Sequence, residues 1–185
     1  MLQGRTGSTK AGGFTLIEAM IVLAVASLLL CIAVPACAGL LARSRAAATR
    51  AALLASLTQA IRHAAVTGTE VVLCPAKEQD CRNSWDWSGG WIAYADIDGD
   101  RRHDGGETLL RTEPALADGV HLLTSKGRKR LVFQPTGGNA GSNVTFTLCD
   151  GRGAASAVTL VLANSGRLRA GKPTAAAARA CVSRR

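Results

Sequence analysis

An acidic segment in the middle of the chain is the first feature whose residue types could do chemistry. It places five carboxylates within twelve residues, at Asp96, Asp98, Asp100, Asp104 and Glu107. Several converging carboxylate oxygens are the ligands that a hard cation such as Ca²⁺ takes. Counted from Asp96, Glu107 has the twelfth position of an EF-hand loop, but Arg101 occupies the sixth, where that loop requires glycine. We therefore expect a turn between strands, with Asp and Gly supplying its geometry, and no bound metal.

The remaining polar residues do not predict catalysis. Two carboxylates that act as a glycosidase pair must flank a sugar cleft, and nothing in the acidic segment indicates a cleft. None of the histidines has a motif around it, and the tryptophans are expected in the core or at a sheet edge rather than on a ligand platform. We predict that the chain is not an enzyme and that it uses no cofactor. The histidines considered are His63, His103 and His121, and the tryptophans are Trp85, Trp87 and Trp91.

A single carboxylate, Glu18, lies at the start of a long apolar run. No charged residue occurs from position 19 to 42, and about 20 apolar residues are enough for a helix to cross a bilayer. A carboxylate pushed toward the centre of such a helix costs about 2.5–3.5 kcal/mol, so Glu18 needs a partner. Cleavage before the run would leave Phe14 as a free N-terminus. In a packed array of such helices, that amine could neutralise Glu18 of a neighbouring subunit, provided the two charges match closely.

Residues 12–18 (GGFTLIE) strongly resemble the N-terminus of type IV prepilins, which pilins and pseudopilins share. The resemblance extends to residue 42 and includes Pro35 in the apolar run. It implies that prepilin peptidase cleaves between Gly13 and Phe14, that Phe14 is N-methylated, and that Glu18 acts in subunit assembly. The alternative is an ordinary signal-anchor helix with an accidental glutamate.

The charge balance favours anionic partners and gives only a weak indication of membrane orientation, because Arg43, Arg45 and Arg50 follow the apolar run. The formal charge is +9, and it is +7 once Arg5 and Lys10 leave with the leader, so the mature protein remains basic. These two leader residues favour a cytoplasmic N-terminus. The prepilin resemblance implies a single pass through the bacterial inner membrane, a periplasmic C-terminal domain, and a pilus or pseudopilus filament after assembly.

The six cysteines divide into two groups. Cys31 and Cys37 lie in the apolar run, where cysteine acts as a small hydrophobe. Four more lie in the expected exported domain, where disulfides are stable, and four cysteines allow three pairings. We favour one bond that closes a short loop and one that fixes the C-terminus, although a zinc site is a rival with poor ligand spacing. The favoured pairs are Cys74 with Cys81 and Cys149 with Cys181.

The chain divides into a leader, a helix and a β-rich domain. The predicted boundaries are a prepilin leader at 1–13, a transmembrane or filament-core helix at 14–42, the outer half of that helix at 43–67, and a β-rich domain at 68–185. Apolar residues recur at helical spacing in the outer half. Pro35 is expected to bend the helix, and Gly68 to end it.

Beyond residue 68 the apolar pattern changes to a period of two or to short apolar runs. Seven strands are predicted, separated by glycine-rich breaks that each fit a turn between antiparallel strands. The expected fold is therefore an α+β type IV pilin fold, with the long N-terminal helix packed on an antiparallel sheet. The predicted strands are 70–74, 90–95, 108–111, 120–124, 130–134, 143–149 and 157–162.

The middle of the chain resembles the GspH/FimT family of minor pseudopilins and minor pilins. The resemblance rests on residues 87–111 (WSGGWIAYADIDGDRRHDGGETLLR), 133–137 (FQPTG) and 146–150 (FTLCD). With the N-terminus it covers nearly the whole mature chain. The chain departs from the family at Arg101, where a glycine is common.

The C-terminal segment, expected as a basic tail from about residue 165, carries basic and no acidic residues from position 166 onward. Its sequence GRLR, at 166–169, resembles the G-R-x-R tail of FimT proteins that bind DNA in natural transformation. The resemblance implies that Arg167 and Arg169 contact double-stranded DNA, with Lys172 as a further candidate. A second basic cluster, expected in a hairpin turn, could extend this surface or be simply solvated: Lys126, Arg128, Lys129 and Arg130.

Three functional hypotheses result. The first is a FimT-like minor pilin that binds DNA without sequence preference for uptake. The alternative is a GspH-like minor pseudopilin of a type II secretion system, with a structural or priming role. A third class, an adhesin or metal-binding tip module, would rest on the acidic segment. The expected partners are other pilin subunits, prepilin peptidase, the inner membrane and double-stranded DNA.

Overall fold

The computed structural model of the protein describes Gly13, residues 15–78 and residues 80–184. Positions 1–12 of the predicted leader, Phe14, Gln79 and Arg185 lie outside these residues. The described chain folds into two α-helices, nine strands and a short 3₁₀ helix. In chain order these are α1 Leu16–Thr67, β1 Glu70–Lys77, β2 Asp80–Cys81, β3 Trp91–Asp96, β4 Leu109–Glu113, β5 His121–Thr124, β6 Leu131–Phe133, β7 Val144–Cys149, the 3₁₀ helix Ala154–Ser156, β8 Val158–Leu162, β9 Leu168–Gly171 and α2 Ala175–Val182.

The chain divides into two compact units, the first ending at Ala38 and the second running Gly39–Arg185. The first unit contains the apolar part of α1, whose large hydrophobic side chains are exposed. By length and composition alone, α1 is able to cross a membrane, with a mean hydropathy of 2.7 over its most apolar window. Pro35 lies inside α1.

The second unit holds every buried residue of the described chain, from Ala46 to Cys181. In its part of α1, the buried residues Leu53, Leu57, Ala60 and Ala64 recur every three or four positions, as expected for one helix face against a core. They pack into one cluster with aromatic side chains from the loops and both sheets, namely Trp87, Trp91, Phe133 and Phe146.

The first sheet has the strand order β2-β1-β3-β4, with β6 also paired to β1, and all pairings are antiparallel. Because side chains alternate across a strand, Val71 and Leu73 of β1 enter the main core. Val72 and Cys74 of the same strand enter a second cluster with Tyr94. Both faces of β1 are therefore covered.

The second sheet has the antiparallel order β5-β7-β8-β9, so the expected antiparallel strands form two sheets. The prediction of a hairpin turn at 126–130 was wrong, because the strands on either side of this segment belong to different sheets. β5 pairs with β7, whereas Leu131–Phe133 pairs with Val71–Leu73. The basic segment between β5 and β6 therefore connects one sheet to the other. Each of these strands pairs with a strand distant in the sequence, which the local pattern does not reveal.

The C-terminal segment is folded, and its description as a tail was wrong. A turn at 163–166, with Gly166 at a φ of 78°, returns the chain so that Leu168–Gly171 pairs with β8. Thr174 then caps α2, its Oγ1 accepting the backbone N–H of Ala177 at 3.2 Å. Cys181 of α2 is fully buried and bonded to Cys149 of β7.

Candidate functional site

Glu18 lies in the first turn of α1 and is exposed. The sequence Thr-x-x-Glu explains the local structure, because the Thr15 Oγ1 accepts the backbone N–H of Glu18 at 3.3 Å, as in a capping box. A carboxylate there is also favoured by the helix dipole. Gly13 is exposed, and the cleavage and methylation expected at Phe14 stay predictions.

The four cysteines of the second unit form two disulfides in the favoured pairing. Cys74 is bonded to Cys81, with Cα atoms 5.5 Å apart, and Cys149 to Cys181, with Cα atoms 6.1 Å apart. These four sulfurs are consequently not thiolate ligands for zinc. The first bond ties β1 to β2, and the second ties α2 to the second sheet.

The arginines of the GRLR sequence lie on the edge strand of the second sheet. Arg169 is exposed in β9 opposite Val161, and Arg167 is exposed directly before β9, where its carbonyl accepts the Ala163 N–H at 2.9 Å. Leu168 between them packs against the core, so the two arginines point away from it. Lys172, just after β9, is exposed as well. Within the described residues, none of the three has an ion-pair partner.

The second basic cluster divides into exposed and internally bonded side chains. Lys126, Lys129 and Arg130 are exposed. Arg128 is half-buried, and its Nη2 donates to the Asn139 Oδ1 at 3.1 Å and to the Ala140 carbonyl at 2.9 Å. Burial lowers the pKa of its guanidinium from the usual value. Arg128 therefore fixes the local structure. Of the three exposed side chains, Arg130 also donates to a carbonyl, that of Arg101 at 2.8 Å.

Asn139, which sequence reasoning missed, connects the two basic segments. Its side chain accepts from Arg128, and its backbone N–H donates to the Asn164 carbonyl at 2.8 Å, in the turn before Arg167. In the sequence it lies in a glycine-rich break without a signal of its own. These contacts join the loop that carries Lys129 to the turn directly before Arg167.

The acidic segment forms the connection between β3 and β4. Asp96 at the end of β3 is only 3 % exposed, and its Oδ1 accepts the backbone N–H groups of Gly99 at 3.1 Å and Arg101 at 3.3 Å. The Glu107 Oε1 accepts the N–H of Ile97 at 2.9 Å. One carboxylate oxygen from each of Asp96, Asp98 and Glu107 lies within 4.8 Å of the others. The expected turn is present, and three of its carboxylates converge.

Two ionisable groups at this loop are perturbed. Burial raises the pKa of Glu107 above its usual value, and the nearby Asp96 and Asp104 carboxylates add to the rise against the opposing backbone hydrogen bonds. Burial also raises the pKa of the Tyr94 hydroxyl, again with a contribution from Asp96 and Glu107. Negative charge is therefore concentrated where β3 ends.

The tryptophans serve packing, as predicted. Trp87 and Trp91 are fully buried, and the Trp91 Nε1 donates to the Ser56 Oγ on α1 at 2.9 Å. The remaining tryptophan, Trp85, stacks under the Arg184 guanidinium at 3.9 Å from its ring centroid. The first contact attaches α1 to β3, and the second holds the residues after α2 against the loop before Trp87.

Comparisons with known proteins agree with this geometry. The family model "Type II transport protein GspH" matches residues 49–166, which is more than half of the chain. The chain belongs to the GspH family. A second model, "Prokaryotic N-terminal methylation motif", matches residues 8–34. The GspH-family chain had no match in a sequence search of curated proteins.

Solved structures share the fold of this GspH-family chain. The type IV minor pilin FimU of Pseudomonas aeruginosa PAO1 aligns in one crystal form with a TM-score of 0.54 and 18 % identity, over 73 % of this chain and 90 % of FimU. In another crystal form, FimU aligns with a TM-score of 0.50 and 17 % identity, over 70 % of this chain and 91 % of FimU. The minor pseudopilin EpsH of the Vibrio cholerae type 2 secretion system aligns with a TM-score of 0.51 and 12 % identity, over 70 % of this chain and 98 % of EpsH.

The chain is therefore a GspH-family protein with an N-terminal methylation motif, and it shares its fold with a minor pilin and a minor pseudopilin. The methylation motif indicates processing by prepilin peptidase. Together with the apolar part of α1, these findings indicate a membrane-anchored component of a pilus or pseudopilus. The predicted α+β pilin fold is confirmed.

Proposed function

We propose that the protein is a minor type IV pilin that binds double-stranded DNA without sequence preference and so contributes to DNA uptake. The observation that carries this proposal is the exposed pair of Arg167, directly before edge strand β9, and Arg169 within it, without a carboxylate partner among the described residues. Two arginines at this spacing fit phosphate contacts, which supply affinity independent of sequence.

The surroundings of β9 support an anionic partner. Lys172, just after β9, and Lys129 are exposed, and Asn139 bonds the loop that carries Lys129 to the turn before Arg167. No acidic residue follows Asp150 in the sequence. A single subunit would bind weakly, with a dissociation constant of about 10⁻⁴–10⁻⁶ M at physiological salt, and repetition along a filament would raise the avidity.

The same proposal includes the N-terminus. Prepilin peptidase would cleave between Gly13 and Phe14, Phe14 would be N-methylated, and Glu18 would pair with the new amine of a neighbouring subunit. Before assembly, α1 would anchor the subunit in the inner membrane, with the second unit in the periplasm. A partner amine fits Glu18 because a carboxylate in an apolar helix needs compensation.

A minor pseudopilin of a type II secretion system is the second candidate. It is favoured by the family description and by the fold shared with EpsH. In that case the arginines of β9 would only protect an exposed sheet edge against pairing with other chains, a common use of basic residues. The two candidates make opposite predictions for DNA.

The test is a fluorescence-anisotropy titration of labelled duplexes of unrelated sequence with the fragment 39–185, which contains the whole buried core. We expect similar affinities for every sequence and weaker binding as salt rises. Arg167→Gln with Arg169→Gln should lower the affinity at least about ten-fold, and should reduce the slope of log affinity against log salt by about 2.

A matched control removes the same charge elsewhere. Arg43→Gln with Arg62→Gln changes two exposed arginines of α1 and should leave the affinity within about three-fold. If this control loses as much affinity for DNA as the β9 variant does, binding reflects the net charge of the fragment alone. If the wild-type fragment binds no duplex at low salt, the secretion candidate replaces the DNA-binding one.

A further inference from the structure

We propose that the β3–β4 connection is a binding site for a divalent hard cation, calcium, held by Asp96, Asp98 and Glu107. The sequence alone favoured a plain turn, because the loop lacks the glycine of an EF-hand. The structure adds convergence, with one carboxylate oxygen from each residue within 4.8 Å of the others. Carboxylate oxygens at such separations are what a Ca²⁺ ion bridges, with ligand distances of about 2.3–2.6 Å.

A buried carboxylate oxygen without a partner is the observation that separates this loop from an ordinary acidic turn. Asp96 is 97 % buried, being 3 % exposed, and its Oδ2 has no hydrogen-bond partner. The Glu107 Oε2 is likewise buried and unpartnered. Burying a charge that lacks a partner is strongly unfavourable, so buried charges in proteins are paired or bound to metals.

The other oxygen of each carboxylate is already used by the backbone. The Asp96 Oδ1 accepts two N–H groups, the Glu107 Oε1 accepts one from Ile97, and the Asp98 Oδ1 accepts one from Asp100 at 3.0 Å. These bonds fix the orientation of the carboxylates and leave their second oxygens available. The loop backbone thus holds three ligands in place before any ion arrives.

No basic side chain compensates this charge in the described part of the chain. The Arg130 Nη1 donates to the Arg101 carbonyl at 2.8 Å rather than to a carboxylate of the loop. None of the three carboxylates takes part in an ion pair among the described residues. A cation from solution is the partner whose chemistry fits.

A bound ion would join the end of β3 to the start of β4. Asp96 is the last residue of β3, and Glu107 lies two residues before β4 begins at Leu109. Binding would therefore order the connection 97–108, which carries the exposed side chain of Ile97. With three protein carboxylates and water for the remaining ligands, we expect an affinity typical of extracellular modules, a dissociation constant of about 10⁻⁴–10⁻³ M.

The test is a calorimetric titration of the full chain in detergent, freed of metal with a chelator, using Ca²⁺ and Mg²⁺ separately. We expect one Ca²⁺ per chain and weaker binding of Mg²⁺, which is smaller and demands near-ideal octahedral geometry. Amide hydrogen exchange should show slower exchange at 97–108 when Ca²⁺ is added. Absence of binding up to about 10 mM Ca²⁺, well above that affinity range, would overturn the proposal, and equal or tighter binding of Mg²⁺ would overturn calcium as the occupant.

Two exposed aspartates in the loop provide a matched pair of variants. Asp98 and Asp100 are both exposed and each accepts one N–H from two residues ahead, so neither Asn variant should disturb folding. Asp98→Asn should weaken Ca²⁺ binding by about ten-fold or more, and Asp100→Asn by much less. Equal losses in the two variants would mean diffuse attraction to an acidic loop and would contradict the assigned site.

Discussion

The hydrogen bond between Ser56 of α1 and Trp91 of β3 predicts how strongly the helix is fixed to the sheet. Both residues are fully buried. The Ser56 Oγ accepts the Trp91 indole N–H at 2.9 Å and donates to the Ala52 carbonyl at 2.9 Å. Replacing Ser56 by alanine leaves the indole N–H buried without an acceptor, which costs about 1–3 kcal/mol.

The net effect is smaller because alanine favours a helix over serine by about 0.5 kcal/mol. We therefore expect Ser56→Ala to lower the free energy of unfolding by about 0.5–2.5 kcal/mol. The assay is urea unfolding of the fragment 39–185, followed by far-ultraviolet circular dichroism. Trp91→Phe and the double variant complete a cycle, in which the coupling energy should be about 1 kcal/mol.

Thr49→Val is the control for this cycle. The Thr49 Oγ1 donates only to the carbonyl one turn earlier, at 3.1 Å, so removing it leaves no buried donor without a partner. Its effect should stay within about 0.5 kcal/mol. A coupling energy below about 0.3 kcal/mol between Ser56 and Trp91 would refute the reasoning, because the two changes would then be independent.

The longer disulfide, one glycine and one ion pair give three more expectations. Replacing Cys149 and Cys181 by serine should cost about 3–4 kcal/mol in the same assay, since the bond closes a loop with a separation of 32 residues; a loss below about 1 kcal/mol would contradict this. Gly90→Ala should destabilise by more than about 2 kcal/mol, because φ is 98° and the new Cβ would clash with the carbonyl oxygen of Glu113, the last residue of β4. Burial opposes ionisation of Asp150, but hydrogen bonds from Arg152 hold the pKa of its carboxyl below the usual value. In Arg152→Ala this pKa should rise in an NMR titration. The variant should lose stability at neutral pH but not in acid, because a carboxyl whose pKa is lower in the folded state stabilises the fold only at pH values above that pKa. An unchanged pKa would show that Arg152 is not the cause.

Local pattern was enough to predict most elements. The predicted strand at 143–149 is observed as Val144–Cys149, and the predicted helix end at Gly68 agrees with α1 ending at Thr67. Each rests on a run of apolar residues or a glycine break that acts within a few positions. The disulfide pairing that we favoured among three, with one bond closing a short loop and one fixing the C-terminus, is the pairing observed.

Features that depend on distant contacts were not predictable. The edge strand β9 and helix α2 consist largely of Gly, Ala and Arg, which carry little apolar periodicity, and they are held by pairing with β8 and by Cys181. The division into two sheets depends on β6 pairing with β1. At the candidate sites, the charges of Asp96 and Arg128 are evident from the residue types, but only the fold shows that Asp96 is buried and Arg128 half-buried.

The central claim, DNA capture by the basic face of β9, is tested most directly by complementation in the bacterium of origin. A strain lacking this gene is supplied with wild type, Arg167→Gln/Arg169→Gln or the control Arg43→Gln/Arg62→Gln, and both transformation frequency and protein secretion are measured. We predict that the β9 variant fails to restore transformation while wild type and control restore it, with secretion unaffected throughout. Full transformation with the β9 variant, or loss of secretion in the deletion strain with normal transformation, would contradict the account.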